Sequence, residues 1–405
     1  MVDFEIPAGF LNIIEMIKWL GKEYMRPLGI EADRKGEAIP PDHPFFYKCA
    51  ELGMQSRAVA DDIERKKKDD AGEKAKTERF AARLAVVMAE EAAYWDRGVA
   101  VALPGPGLGG PPISIMGTDE QKKRFLSIFR TTEKPLWGAF AMTEPGAGSD
   151  VARISTKCEK RGDTWILNGE KMFCSNADRA SWVIVWATVD RSMGRAGHRA
   201  FVVEKGTPGF YVAKIEKKMG LSAYTSCSLV LEDCHLPVDN LLGGEDYYKE
   251  KAGFRGAMKT FDAVRPAVAA MAIGIGRAAW DYTCSFLKQN YDLNRPIPRY
   301  QKIKEKLVEI KRKLDGGRLL CWKSAWEVDK GLPNTLSASQ AKAYTPPAAL
   351  ESVSLCIDIL ADAGVRNDYF VEKLFRDVKA IDMVEGTGQI QRLVIARRIA
   401  DYPRE

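Results

Sequence analysis

At 405 residues the chain has room for two or three domains of roughly 150 residues each, and 46% apolar residues supply a sizeable core. A net charge of +6 over this length, with no polybasic tail, argues against a nucleic-acid partner. No run approaches the roughly 18 apolar residues that span a bilayer, and no basic segment precedes an apolar run at the N-terminus, so no membrane span and a cytoplasmic protein are expected.

In chain order, the part up to about residue 135 reads as helical. Phe10, Ile13, Ile14, Ile17, Leu20 and Tyr24 recur at helical spacing, and Phe80 to Trp95 repeat the pattern. Between them, D-D-I-E-R-K-K-K-D-D-A-G-E-K-A-K (61–76) mixes both signs and reads as a solvated loop or helix face. L-P-G-P-G-L-G-G-P-P (103–112) is a rigid loop. From about 136 the period shortens. W-I-L-N (165–168), W-V-I-V-W-A-T (182–188), R-A-F-V-V-E-K (199–205), F-Y-V-A-K-I (210–215) and C-S-L-V-L-E-D (227–233) are strand-like runs separated by the turn signals R-G-D, N-G and T-P-G. From about 250, Arg265–Lys288, Gln301–Lys330, Ser337–Ala363 and Glu372–Ile399 each carry a long helical pattern. The expected architecture is α+β: an N-terminal helical domain (1–135), a middle β-barrel or β-sandwich domain (136–245) and a C-terminal four-helix bundle (246–405). Eight cysteines without C-x-x-C spacing, and His43, His198 and His235 lying far apart, point to reduced thiols and no metal site.

Two segments carry chemistry. In M-V-E-G-T-G-Q-I-Q-R (383–392), Glu385 lies among Ile381, Met383, Val384 and Ile390, surroundings in which a carboxylate is costly to ionise. Its pKa is expected to rise toward that of a working general base, and Gly386 lets backbone approach whatever the carboxylate faces. The plainer alternative is a solvated or paired carboxylate near a helix end. In A-F-A-M-T-E-P-G-A-G-S-D (139–150), Gly146, Ala147 and Gly148 allow backbone N–H groups to crowd an anion or a flat ring. Thr143, Ser149 and Ser175 offer hydroxyls and Phe173 a stacking face, while Glu144 and Asp150 read as a turn and a cap.

Together T-E-P-G-A-G-S-D (143–150), N-G-x-K-x-x-x-x-N (168–176), K-M-G (218–220), L-E-D-C-H-L-P (231–237), N-L-L-G (240–243), F-D-A-V-R-P (261–266) and E-G-T-x-x-I-Q (385–391) resemble the acyl-CoA dehydrogenases, well over 80–402 and loosely before. The resemblance implies FAD-dependent α,β-dehydrogenation of an acyl-CoA thioester to the trans-2-enoyl-CoA, as in fatty-acid β-oxidation. Glu385 then takes the α-proton and flavin N5 the β-hydride, and the Glu385 N–H meets the developing enolate oxygen. It places Phe140, Met142, Thr143, Gly148, Ser149, Phe173, Ser175, Gln301, Thr387 and Gln389 around FAD, and Ser149, Asp262, Arg265 and Gly386 around the acyl-CoA. For Arg265 a structural ion pair with a neighbouring Asp is the other reading. The implied partners are an electron-transfer flavoprotein and further subunits, as a homodimer or homotetramer.

Departures from the family pattern cluster in two windows. N-Y-D-L-N-R-P-I-P-R-Y-Q (290–301) keeps only Gln301 of its usual motif, and D-I-L-A-D-A-G (358–364) sets Asp358 and Asp362 where relatives, reaching across a subunit interface, hold a neighbour's dinucleotide. Ser222 replaces a common arginine and Val384 a frequent tyrosine. An enoyl-CoA reductase or oxidase of the same fold, and a cofactor-poor structural subunit of a heteromeric enzyme, therefore stay open as alternatives.

Overall fold

The computed structural model describes residues 2–56, 80–249 and 253–401, with only the backbone described for 253–263. The charged run 61–76 and the side chain of Asp262 lie outside the described residues.

Six described helices come first: α1 (Leu11–Leu20), α2 (Arg26–Lys35), α3 (Pro44–Glu51), α4 (Ala81–Ala102), α5 (Gly110–Met116) and α6 (Asp119–Leu126). Apolar spacing explains α1, whose Ile14, Ile17 and Leu20 are buried. Helix α6 starts at a capping box in which the Thr118 hydroxyl accepts from the Gln121 N–H and the Gln121 side chain accepts from the Thr118 N–H. Helix α4 is broken at Asp96, whose φ of −166° and ψ of 118° are extended, and the Asp96 carboxylate caps the second half by accepting from the Val99 N–H at 2.9 Å. Gly29 of α2 passes so close that a Cβ there would stand 1.8 Å from Asp96 Oδ2, so only glycine fits.

Seven described strands follow, four of the five strand-like runs falling inside one of them and the run 199–205 passing the end of β5 by one residue: β1 (Gly138–Ala141), β2 (Lys157–Arg161), β3 (Thr164–Ser175), β4 (Trp182–Thr188), β5 (His198–Glu204), β6 (Phe210–Ile215) and β7 (Ser226–Pro237). They form one sheet in the order β1-β4-β2-β3-β7-β6, with β5 also on β4. One edge of β4 pairs antiparallel with β5 along its length, and the other is shared by β1 and β2, both parallel to it. Register shifts in the β3–β7 pairing at Leu167/Gly169 and Lys171/Cys174 bend β3. Its far end returns to β1, where the Met172 N–H donates to the Thr143 carbonyl at 2.9 Å. Every residue of β4 is buried, which is why it reads as an unbroken apolar run rather than an alternating one.

Helices α7 (Gly244–Lys249), α8 (Gly253–Asn290), α9 (Pro298–Asp329), α10 (Thr335–Leu360), α11 (Asp362–Val365), α12 (Phe370–Ile381) and α13 (Gly388–Ile399) complete the described chain. Val268, Ala272 and Ile275 of α8, Ile310 and Leu314 of α9, Val353 and Cys356 of α10, and Leu374 and Val378 of α12 share one buried core. Two expected helices are divided. Ser337–Ala363 stops at Leu360 because Ala361 turns to φ 56° before the short α11. Glu372–Ile399 is interrupted at 382–387, and α13 restarts at the Thr387 cap. Among the described residues no helix is long and apolar enough to cross a membrane, no metal-ligating cluster forms, and all eight cysteines are free thiols.

Candidate active site

Glu385 occupies the interruption between α12 and α13. It and Gly386 have φ of 57° and 92°, and the Thr387 hydroxyl closes the turn by accepting from the Ile390 N–H at 3.4 Å. Left-handed backbone costs a non-glycine residue on the order of 1 kcal/mol or more and is kept where the surroundings over-determine it. Gly386 has no room for a side chain, since a Cβ would come within 2.6 Å of Gln391 Nε2. The surroundings that hold the turn include Lys342 of α10, which is fully buried. Its Nζ donates to the carbonyls of Asp382 (3.1 Å) and Gly386 (3.2 Å), stapling both ends of the turn.

Burial raises the Glu385 pKa above the ordinary carboxylate range, and Arg265, Lys342 and Arg97, which it faces, only partly offset that. Burial likewise brings the Lys342 ammonium down to about 8, against the pull of Asp382 and Glu385. Among the described residues no acceptor engages the Glu385 N–H. The turn thus presents a desolvated carboxylate, an uncommitted backbone donor and surrounding cations.

The other predicted residues gather at the end of the sheet. Phe140 is partly buried in β1, Met142 is buried with its carbonyl accepting from Lys171 Nζ at 3.2 Å, and Thr143 is partly buried where β3 returns to β1. A Cβ on Gly146 or Gly148 would meet nothing within 4 Å, and Ser149 is exposed, so this loop faces open space. Phe173 has φ of 59° at the β3 irregularity and is 60% exposed, unusual for a large aromatic ring. Burial raises the pKa of the Tyr224 phenol, while Arg97 and the Ser175 hydroxyl pull it the other way. Tyr224 and Arg97 couple the sheet end electrostatically to the Glu385 turn.

Glu144 is more than the turn residue its sequence suggests. Its backbone pairs with Ala147, but its buried carboxylate also accepts from Lys171 Nζ (2.7 Å), the Ser155 N–H and hydroxyl, and the Thr156 N–H (2.9 Å). Burial works against ionisation there, yet Lys171 and these donors prevail and hold the pKa at about 2. Asp150 is exposed and makes no capping hydrogen bond with its side chain.

A second buried network lies beside the first. Lys373 of α12 donates to Asp96 (2.7 Å) and to Asp377, while Asp377 also accepts from the Leu221 N–H at 2.6 Å. It locks α4, α12 and the 220–225 segment together, and so fixes residue 97.

Arg265 is buried, and its charge favours ionisation of Glu385. Thr387 and Gly386 lie within the turn, and Gln389 is exposed on the first turn of α13. Gln301 is exposed on α9 and donates to Glu305 at 3.2 Å, so within one chain it joins neither group. Asp358 is exposed and paired with Lys306 at 3.1 Å. An open cavity of about 680 Å³, lined by Cys284, Leu287, Tyr291, Leu293 and Leu307, shares no lining residue with the turn. Sequence reasoning missed Arg97, Lys342 and Tyr224. A lone lysine amid the small residues of S-A-S-Q-A-K-A, and D-R-G between apolar runs, were the available signals.

Residues 139–234 match the family described as "Acyl-CoA dehydrogenase, middle domain", and 251–400 match "Acyl-CoA dehydrogenase, C-terminal domain". A short-chain-specific acyl-CoA dehydrogenase of Megasphaera elsdenii is 33% identical over 97% of this chain and 98% of its own length. A 3-(aryl)acrylate reductase of Clostridium sporogenes is 37% identical over 72% of this chain and 75% of its own. The solved butyryl-CoA dehydrogenase of M. elsdenii superposes with a TM-score of 0.85 at 31% identity, covering 98% of this chain and 100% of that one.

Proposed function

The chain belongs to the acyl-CoA dehydrogenase family, and from that premise we propose that Glu385 is the base that removes the α-proton of an acyl-CoA thioester. The reaction is α,β-dehydrogenation to the trans-2-enoyl-CoA. The observation that carries the assignment is the Glu385 turn itself: a left-handed, lysine-stapled backbone holding one desolvated carboxylate among cations. A raised pKa makes the carboxylate a stronger base, while Arg97, Arg265 and Lys342 keep a population ionised. The uncommitted Glu385 N–H stands beside the base as the donor to the thioester oxygen as negative charge develops there. Arg265 and Lys342 do not take the proton; they set how readily Glu385 gives it up.

The family is FAD-dependent, and the described residues suit such a group. Open space above Gly146 and Gly148 admits a flat ring or phosphate against the backbone, the exposed Phe173 offers a stacking face, and Thr143, Ser149, Ser175 and Thr387 offer hydroxyls. Phe140, Met142 and Gly148 would line the ring, and Gln301 and Gln389, exposed here, would serve across a subunit contact. When bound, FAD supplies the hydride acceptor that this chain lacks. An electron-transfer flavoprotein as acceptor, a cytoplasmic site of action and assembly as a homodimer or homotetramer complete the proposal.

Kinship with the 3-(aryl)acrylate reductase favours one second reading, the same site run toward the saturated product. Anaerobic titration of the yellow enzyme decides between them. Dehydrogenation predicts bleaching by saturated acyl-CoAs, whereas a reductase stays yellow with them and, once reduced, is reoxidised by an enoyl substrate. A purified chain that neither contains nor takes up flavin would overturn both.

A further inference from the structure

Three cations face the single carboxylate of Glu385, and they are not equivalent. Lys342 spends its ammonium on two backbone carbonyls, and Arg265 has interactions of its own. Arg97 does not. No hydrogen bond or ion pair engages its guanidinium among the described residues, and its Nε is sealed from solvent without a partner. The adjacent Asp96 cannot serve, because the helix break at residue 96 commits that carboxylate to Lys373 and the Val99 N–H. Burial lowers the Arg97 pKa, against the pull of Tyr224, Glu385, Asp96 and Asp377.

Arg97 is half-buried with its Nε sealed from solvent and unpartnered, and an anionic ligand would offset that desolvation cost. Its surroundings are fixed rather than adaptable. Asp96 is held by the Lys373 network, a Cβ on Gly98 would lie 3.2 Å from Ala223 Cβ, and Asn176 Nδ2 donates to the Val101 carbonyl at 2.8 Å. Arg97 therefore follows a rigid corner of α4, within electrostatic reach of both Glu385 and Tyr224. Position narrows the anion. The base faces the reacting carbons, so a group beside it meets the acyl portion of the thioester, whereas the phosphates of coenzyme A lie a pantetheine arm away. Guanidinium favours planar, bidentate carboxylate.

Resting on the reading of Glu385 as the base, we propose that Arg97 binds a carboxylate at the far end of the acyl group, making the substrate class the mono-CoA thioesters of short dicarboxylic acids. Neither a further bond-making step nor a change in the dehydrogenation is required.

Matched pairs test this: succinyl- against butanoyl-CoA, glutaryl- against pentanoyl-CoA, adipyl- against hexanoyl-CoA. Flavin bleaching gives kcat/KM for each, and calorimetric titration of the Glu385→Gln holoenzyme gives binding without turnover. The expected result is preference for the dicarboxylic member of at least one pair in both measurements. Arg97→Met then lowers that preference on the order of a hundredfold, and Arg97→Lys restores part of it. Preference for the monocarboxylic member throughout, or a dicarboxylic preference that survives Arg97→Met, overturns the proposal. So does a shifted flavin potential in Arg97→Met with an unchanged ratio, which would turn the guanidinium toward the ring. If no thioester bleaches the flavin, the base assignment fails, and the titrations still decide the carboxylate site. If Arg97→Met does not fold, the wild-type ratios and Arg97→Lys carry the test.

Discussion

Asp96, buried, and Arg97, half-buried, are neighbours in sequence and belong to opposite kinds of charge cluster. Asp96, Lys373 and Asp377 form a closed set, in which the ammonium has two carboxylates and each carboxylate also accepts a backbone N–H. The cluster at Glu385 is open, with one carboxylate facing three cations, one of them unpartnered, and a backbone donor left unused. A closed network holds elements together; an open one waits for something to complete it. The helix break at Asp96 joins the two, because the residue that caps α4 for the first network sets the position of the guanidinium in the second.

The sharpest way to separate them is to change one charge in each. Glu385→Gln is expected to keep its yellow colour and its melting temperature but lose about 10⁴-fold in kcat/KM, read by anaerobic flavin bleaching. Near-normal turnover would move the base elsewhere. Lys373→Met should do the reverse. It strands two buried carboxylates, costing about 3–5 kcal/mol of stability, measurable in denaturant unfolding followed by fluorescence. A change below about 1 kcal/mol would mean that the triad is not closed after all.

Lys342→Met tests the link between the staple and the base, with a smaller expected effect. Two buried carbonyls lose a charged donor, worth about 1.5–3 kcal/mol each at most, and Glu385 loses a cation. The sign is fixed: Lys342 lowers the Glu385 pKa, so its removal raises that pKa further. Because the ionised carboxylate is the active form, the acid limb of the kcat/KM profile moves to higher pH. In the wild type that limb already lies above the ordinary carboxylate range, since burial outweighs Arg265, Lys342 and Arg97 together. An unmoved limb in Lys342→Met would detach the lysine from the base.

What could be read from sequence follows the same division. The strand-like runs were visible because period-two patterns and turn dipeptides are local, and so was the Gly146–Gly148 loop. The break at 382–387 was not, although Gly386 and Thr387 mark it, because apolar spacing continues on both sides and carries a helical reading across. Arg97 and Lys342 are beyond any local signal. Their importance comes from α4, α10 and the 382–387 turn meeting in space, and a lone lysine among alanines and serines reads as surface until the fold buries it. Glu144 was half legible: the turn was in its sequence, but its four donors come from residues 155, 156 and 171.

Exposed charge marks the low end of the comparison. Asp358 carries a negative charge that would be unfavourable beside a pyrophosphate. Within the chain it pairs with Lys306 at 3.1 Å, with both side chains substantially exposed. Solvent and salt screen such pairs to a median of about 0–1 kcal/mol. Asp358→Asn should therefore change unfolding stability by less than about 0.5 kcal/mol. Lys306→Met leaves Asp358 uncompensated and should weaken flavin retention on dilution if a neighbour's pyrophosphate lies close, while stability again barely moves. Retention unchanged in both variants would show that residue 358 faces no phosphate, and that the charge matters neither to the fold nor to the cofactor.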